Sequence, residues 1–321
     1  MQTGPGILFF PFNSLLTMKH LAEFLAASAV LRTLGALPRS LAGGIAQGIV
    51  GLLYNLTPRL RAVAERNLLL ALPEQSAAQR ARIVRGVYRN LGRVLNEAAH
   101  FPSLKASNVK DYVSFAGFEN YEAALARGRG VIFLTAHLGV WELGAFAHAL
   151  HGHKLNVVYR ALDNPRIDQL VRRYREMSGN RMIEKNESAR GILAALGRNE
   201  TVGILVDQNT LPEEGVFVDF FGIPASMTAG VARFALHTGA SVVPAFCVWE
   251  ELLGRYCIYY DRGLTFEPTG NATATATADV QSATQQMARV IEQYVRRYPD
   301  QWLWIHRRWK TRPPGAPSLY D

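Results

Sequence analysis

Apolar positions in the first hundred residues recur at helical spacing. In "RARIVRGVYRNLGRVLNEAAHF", Ile83, Val87, Leu91 and Leu95 stand four apart and share one helix face. Arg82, Arg85, Arg89 and Arg93 recur at three and four beside them and give the helix a basic stripe. Such a helix can lie on anionic lipid or be a solvated surface helix packed on a core; by itself the pattern favours the second. Upstream, residues 21–37 are mostly apolar but interrupted by Glu23 and Arg32. The stretch between Pro38 and Pro58 is apolar, Gly-rich and charged only at Arg39, and it is barely the roughly 20 residues a membrane span needs. Residues 1–58 therefore read as one or two helices lying in or dipping into a membrane interface, with a single span and a soluble helical cap as alternatives. Residues 1–18 contain Pro and Gly and lack a basic n-region, which makes a poor secretory signal.

From about residue 110 the period changes. "YVSFA" precedes a helix at 117–127, "GVIFLTA" one at 139–150 and "KLNVVYR" one at 165–177. A short strand near "RMIE", a helix at 187–198 and the strand "TVGILVD" follow. This alternation predicts an α/β fold with a largely parallel central sheet flanked by helices. "SVVPAFCVWE" and "RYCIYYD" lie close enough for an antiparallel hairpin. A helix at about 277–297 comes next, and "NATATATAD" (271–279) before it reads as a linker. No repeat of solenoid length is visible.

Composition sharpens this only in part. Of 321 residues, 49% are hydrophobic and 19% charged, enough for a sizeable core. The net charge of +9 suits an anionic partner: nucleic acid, an acidic protein or an anionic membrane surface. The two cysteines, Cys247 and Cys257, lie in apolar strand-like runs and read as buried free thiols in a reducing cytoplasmic setting.

The candidate chemistry centres on "FLTAHLGVWELGAF". The apolar strand ends at His137, so this residue falls at the carboxyl end of a sheet strand, where ligands bind in open α/β folds. Gly139 allows a tight turn, and Glu142 opens the next helix. An acid in a first turn complements the helix dipole, and a lone His at a strand end is more often structural than catalytic, so position alone does not decide. "HLGVWE" matches the H-x4-D/E signature of the glycerolipid and lysophospholipid acyltransferase superfamily. With "RLRAVAERNLLLALPE", "VYRALDNPRIDQLVRRYREMSGNRMI", "VGILVDQN", "VFVDFFGIPASMTAGVARFALHTGASVVPAF" and "WLWIHRRWK" in order, the chain resembles the late acyltransferases of lipid A biosynthesis, the lauroyl and myristoyl acyltransferase family, over roughly residues 15–312.

The resemblance implies acyl transfer from an acyl carrier protein thioester to a hydroxyl of an anionic glycolipid acceptor, a lipid A precursor or relative. A hydroxyl is a weak nucleophile, and a positioned neutral histidine can take its proton during attack. By resemblance His137 is that base, Glu142 its carboxylate partner, and transfer is direct, with no acyl-enzyme and no cofactor. Substrate-binding candidates are Arg160 after strand "NVVYR", Arg172, Arg173 and Arg175 on the following helix, and Asp207 and Gln208 at the end of the next strand. Thr228 and Gly230 open a later helix whose N-terminus suits an anion, or Thr228 is a plain N-cap.

Two departures bear on the acceptor. The "FPEGTRS" block of glycerol-phosphate acyltransferases is absent, and Val140 stands where many relatives carry a polar residue, often Asn. His148, His151 and His153 form HxxHxH, but no acid or Cys is suitably spaced, so no metal is expected and solvated helix-end histidines are the default. The tail from Arg296 to Arg312 interleaves Arg with Trp302, Trp304 and Trp309. It reads as an interfacial belt or a carrier-protein dock rather than a nucleic-acid site. The expected organisation is a membrane-associating segment (1–58), an acyltransferase domain (59–312) and a tail (313–321), at the cytoplasmic face of the inner membrane. The competing readings are another lipid acceptor (a lysophospholipid or aminolipid), a non-catalytic membrane-binding protein of the same fold, and a thioester hydrolase.

Overall fold

The computed structural model describes residues 12–185, 188–269 and 277–320. Four helices come first: α1 (Phe12–Ala36), α2 (Arg39–Leu56), α3 (Pro58–Ala71) and α4 (Ala77–His100). The α/β part follows as α5 (Val109–Tyr112), β1 (Val113–Ala116), α6 (Phe118–Leu125), β2 (Val131–Thr135), α7 (Trp141–Leu150), β3 (Leu155–Tyr159) and α8 (Pro165–Glu176). It continues with β4 (Arg181–Glu184), α9 (Ser188–Gly197), β5 (Thr201–Leu205), β6 (Gly215–Phe220), β7 (Ile223–Thr228) and α10 (Gly230–Thr238). β8 (Ser241–Glu250), β9 (Arg255–Tyr260) and α11 (Thr277–Arg297) complete it.

Seven strands form one sheet in the order β1-β9-β8-β2-β5-β3-β4. Every pairing is parallel except β8 with β9, which is the expected antiparallel hairpin. The α/β architecture with a mostly parallel, helix-flanked sheet is therefore as the sequence predicts. The apolar run of β2 is buried on both faces, as a central parallel strand requires. Ile132 and Leu134 pack with Ile192, Val231, Met287 and Ile291 from α9, α10 and α11. Val131 and Phe133 pack on the other face with Tyr121, Leu143 and Phe146 from α6 and α7. The hairpin β6–β7 is an element the sequence reading did not anticipate: its strands pair antiparallel around a turn with Phe221 and Gly222 at positive φ.

The helical N-terminus is packed onto this body. A capping box between Ser76 and Gln79 starts α4. Val87 is buried and Ile83, Leu91 and Leu95 half-buried, whereas Arg82, Arg85 and Arg89 are exposed. Leu34, Ala42, Ala46 and Ala99 form a small core of their own between α1, α2 and α4. Asn164, at the start of α8, donates to His20 O and to Glu23 Oε2, both at 2.9 Å, and so ties α1 to the sheet domain. Among the described residues no helix is long and apolar enough to cross a membrane, which removes the single-span alternative for them. The first 11 residues of the expected 1–58 segment, and 271–276 of the expected linker, lie outside the described residues.

Two expectations are corrected. Trp302, Trp304 and Trp309 are buried, as is Arg308, so the tail is no interfacial Trp belt: its rings belong to the core, while Arg296, Arg297, Arg307 and Lys310 stay exposed. His148 is not a solvated helix-end residue. It sits in an aromatic cluster with Phe133, Tyr121 and Tyr260, bonds the Tyr260 hydroxyl through Nδ1 at 2.8 Å, and burial pushes its pKa well below the ordinary value. His151 stacks on Phe115 with ring centres 4.2 Å apart. No group of His, Cys, Asp or Glu suited to a metal occurs among the described residues. Cys247 and Cys257 are buried and free, as read from their apolar context.

Candidate active site

The site forms where β2 ends in the middle of the sheet, between β8 and β5. The chain must leave the strand and enter α7 within five residues, and the sequence meets this at Gly139. Its φ is +62°, and a Cβ there would stand 2.0 Å from Cys247 O, so only glycine fits. The loop is pinned from three directions. Val140 N donates to Cys247 O on β8 (2.7 Å), Asn90 Nδ2 on α4 donates to Gly139 O (2.8 Å), and Gly139 N donates to Gln301 O (2.9 Å). Leu303 N adds a bond to His137 O at 3.0 Å, so the C-terminal segment laces the loop into place.

His137 held in this way meets Asp207 from the end of β5. His137 Nδ1 lies 2.9 Å from Asp207 Oδ1. The second carboxylate oxygen accepts from His137 N at 3.0 Å and from Trp302 Nε1 at 2.8 Å. A fully buried carboxylate with three donors is an ionised one, and burial, which alone would raise its pKa, is outweighed by the His137 ring and these bonds, so the pKa is lowered. Burial likewise disfavours a charged His137, but the Asp207 charge and hydrogen bond outweigh it. Glu142 adds in the same direction and Arg175 opposes, leaving the pKa raised above the ordinary 6.5. An ionised Asp207 accepts only, so Nδ1 carries the hydrogen and Nε2 the lone pair. Nε2 has no bonding partner among the described residues, and the ring lines the cavity.

Glu142 does not bond His137. It opens α7 and receives a two-pronged ion pair from Arg175, with Nε to Oε2 at 2.9 Å and Nη2 to Oε1 at 2.5 Å. The expected carboxylate on the imidazole is therefore Asp207, which the sequence reading had assigned to substrate. Four residues separate His137 from Glu142, and the helix start turns Glu142 towards Arg175 on α8 instead.

Of the remaining candidates, four line the cavity and two do not. Arg160 stands at the cavity rim, four-fifths exposed, 3.4 Å from Asp163. Arg172 is exposed and paired with Glu176, Arg173 is exposed, and neither lines the cavity. Gln208, Thr228 and Gly230 line it. Thr228 ends β7 rather than opening a helix; its Oγ1 accepts from Gly230 N at 3.3 Å, and the N-cap of α10 is Ala229.

The cavity has a volume of about 540 Å³ and reaches both faces of the sheet. Beneath α7 it is walled by Phe133, Val157, Leu205 and Ala245; on the other face by Ile192, Ile204, Val231 and Phe234. Sequence reasoning missed Trp302, His306 and Lys185. Lys185 lines the cavity and pairs with Glu214 at 2.7 Å. His306 Nε2 accepts from Asn209 N at 2.8 Å, and burial lowers its pKa to about 4, so it is a neutral prop for the loop after Asp207. The block "WLWIHRRWK" carried a signal for Trp302 and His306, but no local pattern tells a Trp that bonds a carboxylate from one that faces lipid. A base with a fixed tautomer at the mouth of a largely apolar cavity can activate a hydroxyl next to a hydrocarbon chain.

Residues 11–311 match the family model of bacterial lipid A biosynthesis acyltransferases. The chain is 30% identical over 263 residues to a lipid A biosynthesis palmitoleoyltransferase of Escherichia coli, covering 82% of each. It is 28% identical over 274 residues to a lauroyltransferase of the same organism, covering 85% of this chain and 86% of the other. With the E. coli lipid A biosynthesis myristoyltransferase the identity is 26% over 254 residues, covering 79% and 76%.

Proposed function

We propose, from the premise that this chain belongs to the bacterial lipid A biosynthesis acyltransferase family and is an acyltransferase, that it moves a fatty acyl chain from an acyl carrier protein thioester to a hydroxyl of a lipid A precursor. His137 Nε2 takes the acceptor proton as the oxygen attacks the thioester carbonyl. The proton stays on the ring as imidazolium, which Asp207 stabilises, and is delivered to the departing thiolate when the tetrahedral intermediate collapses. Both substrates are present together, so no enzyme nucleophile and no covalent acyl-enzyme are needed. The observation that carries this reading is the His137–Asp207 bond, because it fixes the tautomer whose lone pair is free for the substrate.

Glu142 acts on the base at one remove. Its charge favours the imidazolium, and it neutralises Arg175, which would otherwise disfavour it. Arg160 at the rim, with Arg172 and Arg173 on the exposed face of α8, offers cations to acceptor phosphates, and arginine's planar fork suits them. Residues 1–58 rest on the cytoplasmic face of the inner membrane. Met18, Leu25, Leu41, Leu52 and Leu56 are exposed along α1 and α2, more apolar surface than water favours.

The test is transfer by the purified chain from acyl carrier protein thioesters to a lipid A precursor, followed by mass spectrometry. Native protein should give a product heavier by one acyl chain and no acylated enzyme. His137→Ala should cut turnover by about 10² to 10⁴, the usual scale of general-base catalysis. A folded His137→Ala protein with near-native turnover would overturn the mechanism.

A further inference from the structure

Gly203 is buried in β5, a central strand, where glycine weakens the strand and packs nothing. Its φ is not in the left-handed region, so backbone conformation does not require it. Nor does crowding: a Cβ there would meet no atom within 4 Å, although the residue is buried. Gly144 on α7 is the contrast, since a Cβ there would stand 2.8 Å from Cys247 Cβ. Gly203 therefore faces empty interior space, and that space is the part of the cavity beneath α7. Its register neighbours Phe133 and Val157 project on either side, so the missing side chain cuts a groove between them.

The groove ends one strand repeat beyond Gly203, where Leu155 still lines it and its register neighbour Thr201 does not. Thr201 and Leu155 are buried, and the Thr201 hydroxyl is bonded to Tyr121 at 3.0 Å. An apolar groove that ends in this way takes a chain tail-first and leaves its other end at the mouth. An acyl thioester has this topology, because its reacting carbon is the end of the chain. His137, which lines the mouth, stands four residues beyond Phe133, the register neighbour of Gly203, or about 13 Å along an extended chain. An extended chain advances about 1.2 Å per bond, so roughly ten to twelve carbons fill the distance.

We propose that Gly203 sets the length of the transferred acyl chain, by leaving open the inner end of the donor groove for a chain of about ten to twelve carbons. This rests on the acyltransferase reading above and assigns that site its donor specificity.

The experiment compares native protein, Gly203→Ala and Gly203→Val, each checked for folding by its thermal melt. Transfer is measured from carrier-protein thioesters of 8 to 16 carbons, and in parallel free fatty acids of the same lengths compete with a fluorescent fatty acid for binding. Native protein should prefer chains near the stated length in both assays. Gly203→Val should move the optimum shorter by roughly two to three carbons and lose about tenfold or more on the native optimum, the usual cost of chain that no longer fits. Gly203→Ala should do the same to a smaller degree and serves if the larger side chain impairs folding. A folded variant that keeps the native length profile in both assays overturns the inference. Failure of the donor-and-acceptor reading looks different: native protein transfers no chain of any length, while the binding profile still decides the role of Gly203.

Discussion

At the scale of single residues, the charge around His137 makes a pH prediction with a definite sign. The base works only unprotonated, so kcat/KM falls as pH drops through its pKa. That pKa is raised, so the fall should begin above pH 6.5. Asp207→Asn removes the main raising influence, so the acid limb should move to lower pH while the plateau drops by roughly 10² to 10⁴ through loss of tautomer control. Glu142→Ala should also move the limb to lower pH, because Arg175 is left uncompensated beside the ring. A pH–rate profile of the three proteins checks both shifts, and an unmoved limb in Asp207→Asn would separate Asp207 from the base. Arg160 makes a different prediction. Among the described residues its one ion-pair partner is the exposed Asp163, a contact worth little in water. Arg160→Ala should raise the acceptor KM with little change in kcat, and Arg160→Lys should do so less. Kinetics at saturating donor would show it, and unchanged constants would leave Arg160 a surface residue.

At the scale of elements, the turn from β2 into α7 is the least replaceable piece. A side chain at Gly139 would meet Cys247 O at 2.0 Å and force a positive φ on a residue that resists it. Gly139→Ala should therefore cost on the order of 2–4 kcal/mol and lower the melting temperature by several degrees. A melt within a degree of native would contradict the tight turn. The N-terminal helices carry the second prediction at this scale. Leu52, Leu53 and Leu56 are exposed at the end of α2, and serine there removes apolar surface without touching the core. A triple Leu→Ser variant should melt like the native protein but float less with anionic vesicles. Equal flotation would place membrane contact elsewhere.

At the scale of the molecule, the active site is a joint between distant parts of the chain. The base comes from β2, its carboxylate from β5, and the loop between is tied to α4 by Asn90 and to the C-terminal segment by Gln301, Trp302 and Leu303. The far C-terminus closes the same circuit, since Tyr320 Oη donates to Asn67 Oδ1 at 2.6 Å and Arg66 Nε to Leu319 O at 2.8 Å. Trp302→Phe keeps the buried ring volume and removes one donor from Asp207. Activity should fall by about tenfold, the scale of losing a supporting bond behind a catalytic group, with a far smaller change in melting temperature. Turnover measured beside a thermal melt separates that from general unfolding.

The sequence by itself determined the elements and their order, because apolar period is local: alternation of strand and helix from residue 110 fixes a parallel α/β sheet, and "VIFLT" ending at His137 puts the base at a strand's carboxyl end. It determined the family too, since the ordered blocks from "RLRAVAERNLLLALPE" to "WLWIHRRWK" are linear information. The tertiary structure decided the partners. Which carboxylate meets His137 depends on β5 lying beside β2, 70 residues apart in sequence, and that pairing left Glu142 to Arg175. Burial of Trp302, Trp304 and Trp309, solvation of Arg172 and Arg173, and the empty space before Gly203 were decided in the same way. Each depends on what packs against a residue from elsewhere in the chain, and no local pattern encodes that.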